Sequence, residues 1–133
     1  MSEVTALVLE EPLSLWGGVD PATGAVIDAH HPQRGANVRG RVLVMASGRG
    51  SSSSASVLAE AVRAGTAPAA IVLGEPDLIL SIGAAVAEEL YGVRVPVVVL
   101  PPPVFEAIVD GQTVDLDAEP FASPRWAIRL SPG

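Results

Sequence analysis

The residues of this sequence best suited to chemistry form a glycine- and serine-rich segment, residues 47–54, which reads SGRGSSSS. Gly48 and Gly50 allow a tight turn, and apolar residues then recur at helical spacing. A turn that opens directly into a helix directs backbone N–H groups and the positive end of the helix dipole at one point, where a phosphate or carboxylate is stabilised. Arg49 would add a positive charge with bidentate geometry. Local physics supports equally well a capped helix behind a polar surface loop.

Three familiar chemistries do not match this segment. No lysine follows the glycines, and their spacing is not that of the dinucleotide fingerprint, so ATP and NAD are poor candidates. The nucleophile elbow of hydrolases is absent, and the two histidines, His30 and His31, lie in a segment that the sequence does not place beside the loop. A serine can instead accept a proton if N–H dipoles and an arginine stabilise its alkoxide, provided that a partner supplies an electrophilic metal for the departing hydroxyl.

The composition limits what the chain can do by itself. Its 133 residues are 49% hydrophobic, which is enough for one compact domain. There is no cysteine, so disulfides, a thiolate nucleophile and an iron–sulfur cluster held from within this chain are excluded. His30 and His31 are adjacent, and adjacent side chains of an extended segment point to opposite faces, so we expect no metal centre here. Demanding cofactor chemistry must come from elsewhere.

The charge excludes further classes of partner. Eight basic residues, all arginine, stand against fifteen acidic ones, and the net charge of −7 disfavours nucleic acid and anionic membranes. The longest apolar stretches are far shorter than the roughly 20 residues of a membrane span. The first residues, MSE, lack the basic region of a signal peptide. We therefore expect a soluble, cytoplasmic protein.

The elements that must position the Gly/Ser segment alternate between strands and helices, which predicts a small α/β domain. Apolar runs predict strands at 4–9, 25–29, 38–45, 69–73, 95–100, 112–116 and 125–130. Helical periodicity predicts a helix from the serines to Gly65, one over about 78–91, and a helical turn at 104–109 after a breaker of three prolines at 101–103. The runs 78–90 and 95–100 are interpreted as core. The segments 13–24 and 30–35 are interpreted as irregular.

Four segments, in order, resemble the small subunit or swivelling domain of the aconitase X family. They are WGGVDP at 16–21, HHPQRG at 30–35, SGRGSSSS at 47–54 and APAAIV at 67–72. The resemblance runs from about residue 13 to 116 and implies a single swivelling β/β/α domain over residues 1–133, like the small domain of aconitases. It also implies a large subunit or domain that holds an iron–sulfur cluster through its own cysteines. This chain would then need none.

The resemblance implies a hydro-lyase subunit that is inactive without its large partner. Bacterial members of the family are similar to dehydratases of cis-3-hydroxy-L-proline, which yield Δ1-pyrroline-2-carboxylate, and archaeal members dehydrate mevalonate 5-phosphate. The form GRGSSSS resembles the bacterial loops, which favours the hydroxyproline substrate. The phosphorylated substrate stays open. An alternative from another class is a non-catalytic module that binds or senses a small anion.

The resemblance also suggests which residues act. Classical aconitases carry Gly-x-Gly-Ser-Ser-Arg, whose glycines match Gly48 and Gly50 and whose catalytic base matches Ser51. The motif's arginine, which grips a substrate carboxylate, falls on Ser53, so that contact is left to Arg49, Gly50, Ser52 and Ser53. A serine is a very weak base unaided, so we expect the closed complex to create the site.

Residues outside the loop carry competing interpretations. Trp16, Gly17 and Gly18 could belong to the site or to a subunit interface, although a tryptophan packed under a loop is equally common. His31 could orient a substrate group, but a hydrogen-bonded structural histidine is favoured. Asp77 begins a predicted helix, where an acid complements the dipole. If a partner covers the site, we expect exposed apolar residues near Trp16 and the Gly/Ser segment.

Overall fold

The computed structural model describes residues 3–48, 53–118 and 121, and its framework is one five-stranded sheet. The strands, in chain order, are β1 (Glu3–Val8), β2 (Val42–Met45), β3 (Ala70–Leu73), β4 (Val97–Val99) and β5 (Thr113–Asp115). They lie in the order β4-β3-β2-β1-β5. The first four are parallel, with Leu43 paired to Leu7 of β1 and to Ile71 of β3, and β5 pairs antiparallel with β1. The predicted α/β alternation is therefore confirmed.

The helices connect these strands. They are α1 (Leu15–Gly18), an irregular turn, α2 (Ser54–Ala64), α3 (Leu78–Tyr91) and α4 (Pro102–Glu106). Helix α2 links β2 to β3 and α3 links β3 to β4, and since crossovers between parallel strands share one handedness, both helices lie on the same face. They approach closely, because a Cβ on Gly83 would lie 2.9 Å from the Cα of Ala55. Both end at a left-handed glycine, Gly65 and Gly92, as such caps require.

Two apolar layers cover the sheet. Successive strand residues point to opposite faces, so Leu43 and Met45 pack under α2 and α3, whereas Val42 and Val44 pack toward α4 and β5. The first layer includes Leu58 and Leu80 from the helices, and the second includes Phe121. All four residues of β2 and of β3 are buried, as expected for central strands of a parallel sheet. The sheet is thus a rigid support for the loops at its ends.

Several predictions of local structure were wrong. Residues 25–29 form no strand; Ala25 and Val26 make isolated bridges to Asn37 and Val19 because the chain folds back on itself there. Strand β2 begins at Val42 and not at 38, since Gly40 turns the chain with φ 67°. The prolines do not precede the fourth helix. Pro102 and Pro103 occupy its first positions, where a missing N–H costs nothing. The predicted strand at 125–130 lies outside the described residues.

Helix α3 has a second apolar face, which is exposed. The prediction that the whole run 78–90 is core was therefore wrong. The inner face of α3 is buried, as predicted, but four aliphatic residues at a spacing of four are exposed: Leu78, Ile82, Val86 and Leu90. The composition of this helix does not show which face is buried, because both faces are apolar and only the packing on α2 and the sheet decides which is inside. Within the described ranges, no helix combines the length and the apolar character that crossing a membrane needs.

Candidate functional site

The Gly/Ser segment follows β2 and leads into α2, at the edge of the sheet where the parallel strands end. Ligands of open parallel sheets bind at this carboxyl edge. Arg49, Gly50, Ser51 and Ser52 lie outside the described residues, so their roles remain predictions. Gly48 and Ser53 are the described residues on either side of this gap, and the structure shows what holds each end of the segment.

Gly48, the first end, is held from two sides. It forms a parallel β-bridge with Leu13, from the segment that follows β1. On its other side lies the carboxylate of Asp77, whose Oδ2 occupies the space that a Cβ at Gly48 would need. The Cδ1 atom of Leu80 would lie 3.4 Å from the same Cβ. The entry to the segment is therefore enclosed by the loops that follow β1 and β3.

Ser54, the first residue of α2, fixes the second end. Only 4% of its surface is exposed, and its Oγ accepts a hydrogen bond from the backbone N–H of Trp16 at 3.3 Å. The Oγ of Ser14 lies 3.4 Å from the same atom. The N-cap residue, Ser53, has helical dihedral angles and makes no capping hydrogen bond through its side chain, unlike the serine caps that the sequence predicts. Segment 13–16 thus contacts both ends of the Gly/Ser segment.

The turn WGG at 16–18 presents Trp16 to solvent. Trp16 has an extended ψ of 117° and Gly17 a φ of 79°, a left-handed conformation that favours glycine. Gly18 lies against Leu13, since a Cβ there would approach Cδ1 of Leu13 to 2.8 Å. As a result Trp16 is 59% exposed beside the start of α2. It is not a tryptophan packed beneath a loop, and it matches the predicted apolar surface near the Gly/Ser segment.

His31 is a structural residue in this fold. It is 5% exposed; its Nδ1 accepts from the N–H of Gln33 at 3.0 Å, so Nε2 carries the proton that is donated to the carbonyl of Glu11, also at 3.0 Å. The side chain of Gln33 donates to the carbonyl of Val8 and accepts from the N–H of Glu10. His31 and Gln33 together hold residues 8–11, which lead directly to Leu13. Their effect on the Gly/Ser segment is indirect.

Asp77 has two roles in the structure, of which the sequence indicated one. It is the N-cap of α3, and its Oδ1 accepts from the N–H of Leu80 at 3.0 Å, which agrees with an acid at a helix start. The contact of its second oxygen with Gly48 has no local sequence signal. It arises because β2 and β3 are neighbours, so that the loops following them meet. The order of strands in the sheet was the missing information.

The described residues form no metal-binding cluster at the site. No group of three His, Cys, Asp or Glu side chains that could hold a metal ion occurs among residues 3–48, 53–118 and 121. A clear pKa shift occurs on α2, where the hydrogen bond from Arg63 lowers the pKa of Glu60 and raises that of Arg63. This pair is exposed and lies about two turns from Ser54 along the helix, so it belongs to the outer surface.

A mostly parallel sheet whose carboxyl edge carries a Gly/Ser segment opening into a helix defines a small α/β domain of the swivel type. The family model described as the aconitase X swivel domain matches residues 2–121. The chain therefore belongs to the aconitase X swivel-domain family. The crystal structure of Thermococcus kodakaraensis aconitase X in its holo-form superposes with a TM-score of 0.74 at 33% identity, covering 86% of this chain and 83% of that one.

Two curated relatives have names that describe an activity. The cis-3-hydroxy-L-proline dehydratase of Pseudomonas aeruginosa is 54% identical over 88 residues, which are 66% of this chain and 15% of that protein. The phosphomevalonate dehydratase small subunit of Methanothermobacter thermautotrophicus is 46% identical over 81 residues, which are 61% of this chain and 62% of that subunit. The match thus spans a small part of the first relative and somewhat under two thirds of the second.

Proposed function

We propose that this chain is the swivelling component of an aconitase X-type dehydratase that acts on cis-3-hydroxy-L-proline. The observation that carries the proposal is its membership of a family whose named relatives are dehydratases, with 54% identity to the hydroxyproline enzyme of Pseudomonas aeruginosa. The Gly/Ser segment at the carboxyl edge of the sheet is the place where such a domain would meet a substrate.

In this reaction the chain removes a proton. Ser51 takes the proton from the Cα of the substrate, the electron pair left behind forms a double bond to the neighbouring ring carbon, and hydroxide leaves that carbon. The product tautomerises to Δ1-pyrroline-2-carboxylate, and the proton and the hydroxide together account for the water lost. Arg49, Gly50, Ser52 and Ser53 are proposed to bind the substrate carboxylate. Electrostatic stabilisation of the serine alkoxide is what makes the step possible, since serine is a very weak base in water.

The described residues prepare the segment for this role. Segment 13–16 and Asp77 contact the two ends of the Gly/Ser segment, so that its four central residues span two fixed points. A base held in one position loses less entropy on reaching the transition state than a base on a mobile loop.

A large partner is part of the proposal. In the Pseudomonas aeruginosa relative the matched segment is 15% of one protein, and the Methanothermobacter thermautotrophicus relative is named a small subunit. This chain has no cysteine, so the partner is proposed to hold the iron–sulfur cluster. When bound, such a cluster supplies the Lewis acid for the departing hydroxide.

The surface around the Gly/Ser segment suits such a partner. We define the partner face as Trp16, Leu78, Ile82 and Val86, all exposed apolar residues. Trp16 stands beside Ser54 at one end of the segment, and Leu78 follows Asp77 at the other, where it is 67% exposed. Ile82 and Val86 continue from Leu78 along α3. Several exposed apolar residues near one site are typical of a protein interface.

Mevalonate 5-phosphate is the second candidate substrate. It is favoured by one observation: the match to the Methanothermobacter thermautotrophicus small subunit has 46% identity over 62% of that subunit, whereas the match to the hydroxyproline enzyme covers 15% of that protein. A substrate phosphate would suit the N–H groups at the start of α2 as well as a carboxylate does.

The test is reconstitution of activity. The chain is coexpressed with a large, cysteine-containing subunit of the aconitase X family, purified without oxygen, and assayed for dehydration of each substrate. We expect turnover of cis-3-hydroxy-L-proline by the complex and by neither subunit alone. Turnover of mevalonate 5-phosphate only would replace the substrate assignment. A complex that dehydrates neither compound, together with an isolated chain that binds small carboxylates, would favour the non-catalytic anion-binding module.

A further inference from the structure

We propose that Asp77 is a positioning residue for the Gly/Ser segment, acting through Gly48. The inference rests on the proposed function and adds to it a residue on a different loop, between β3 and α3, that sets where the segment begins. Asp77 would not touch the substrate; its effect would be on the geometry of the residues that do.

The Asp77 carboxylate is itself fixed. Its Oδ1 accepts the N–H of Leu80 at 3.0 Å as the N-cap of α3. Because the helix holds one oxygen of the carboxylate, the direction of the second oxygen is fixed as well. That direction is toward Gly48, where Oδ2 fills the position of a side chain. The carboxylate therefore joins the start of α3 to the entrance of the Gly/Ser segment.

Residue 48 is a glycine because of its packing, not because of its backbone conformation. Gly17, Gly65 and Gly92 have positive φ values and need glycine for their backbone conformation. Gly48 is not among the residues with positive φ, so its backbone would accept a larger residue. The obstacle is Asp77, because any Cβ at position 48 would overlap Oδ2. Close packing between these two residues explains the glycine.

The contact between Asp77 and Gly48 would act on the proposed site through the short chain that follows Gly48. Gly48 is also bridged to Leu13, so a displacement of Gly48 would disturb a second contact. The chain then has only four residues, 49–52, before Ser53 and the anchored Ser54. We expect a displacement of Gly48 to shift residue 51 over so short a span. A misplacement of about 1 Å can lower a rate by about a hundredfold.

The test separates the shape of Asp77 from its capping role. Asp77→Asn keeps the shape of the side chain, whereas Asp77→Ser keeps an oxygen that can cap α3 but is too short to reach Gly48. Gly48→Ala adds the methyl group that Asp77 excludes. The double variant Gly48→Ala with Asp77→Ser places that methyl in the vacated space. All are assayed as the reconstituted complex, well below the unfolding temperature measured for each.

We expect Asp77→Ser and Gly48→Ala each to lower kcat by about tenfold or more and to raise KM as well, because the proposed base and the proposed binding residues beside it move together. Asp77→Asn should retain most of kcat, and the double variant should have a higher kcat than Gly48→Ala alone. An unchanged kcat in Asp77→Ser, or a double variant no better than Gly48→Ala, would overturn the inference.

The contact between Asp77 and Gly48 can be tested separately if the proposed function is wrong. If the complex dehydrates neither substrate, the contact is tested through thermal unfolding of the same four variants of the isolated chain. Non-additive shifts of the unfolding temperature, with Gly48→Ala less damaging beside Asp77→Ser, would support the contact. Additive shifts would reject it.

Discussion

The backbone N–H of Trp16 and the side chain of Ser54 are joined by a hydrogen bond across 38 residues of sequence. This bond connects the turn that follows β1 to the first residue of α2. Because the same turn is continuous with Leu13, which bridges Gly48, one short segment determines both ends of the Gly/Ser segment. The site is thus positioned by the turn after β1 as much as by β2, which directly precedes the Gly/Ser segment.

Replacing Ser54 tests this organisation. In Ser54→Ala the N–H of Trp16 loses its acceptor, and loss of one partly buried hydrogen bond typically costs about 1 kcal/mol. We expect a correspondingly lower free energy of unfolding and a lower kcat in the complex. Chemical denaturation and steady-state assays measure the two effects. Ser56→Ala is the matched control, because Ser56 is exposed on the same helix. Equal behaviour of the two variants would contradict the account.

The histidine pair gives a second prediction. His31→Ala removes two hydrogen bonds from a buried ring, and we expect it to destabilise the fold by about 2–3 kcal/mol, seen as a lower denaturation midpoint. His30→Ala alters an exposed neighbour and should change stability by less than about 0.5 kcal/mol. A His31→Ala variant of unchanged stability whose kcat falls steeply would instead indicate direct contact with the substrate.

The partner face gives a third prediction. Leu78→Glu and Ile82→Glu place charges on exposed positions, so the isolated chain should keep its stability to within about 0.5 kcal/mol. Binding to the large subunit should weaken by at least about tenfold, because a charge would be buried without a partner. Titration calorimetry of the two subunits measures this.

Val93→Glu is the control for the partner face. Val93 is also exposed and apolar, but it lies beyond the end of α3, away from the Gly/Ser segment. If all three variants bind the large subunit as tightly as the unaltered chain, the partner face is elsewhere. If the isolated chain dimerises and Leu78→Glu abolishes only that, the face binds a second copy of this chain.

What could be predicted from the sequence depended on the range of the interactions. The bounds of α3 followed from a periodic pattern between an acidic N-cap and Gly92, which are local signals. The exposed side of α3 could not be predicted, because Leu78 and Leu80 look alike in sequence and differ only in what packs on them. Likewise the contact of Asp77 with Gly48 depends on which strands are neighbours, and no local pattern encodes it.

The candidate site shows the same division. The Gly/Ser segment was found from its composition, and the predicted strand before it and helix after it are confirmed as β2 and α2. The structural role of His31 was the favoured interpretation, yet its partner, the carbonyl of Glu11, lies 20 residues away and could not be identified. The exposure of Trp16 follows from Gly17, whose positive φ turns the chain outward.

The central claim is that this chain supplies the base, and the kcat of the reconstituted complex carrying Ser51→Ala tests it most directly. With Ser56→Ala measured beside it, the account predicts a loss of about a hundredfold to ten-thousandfold for Ser51→Ala, the usual contribution of a general base, and an unchanged rate for Ser56→Ala. A Ser51→Ala complex that turns over at close to the unaltered rate would contradict the claim and move the base to another residue.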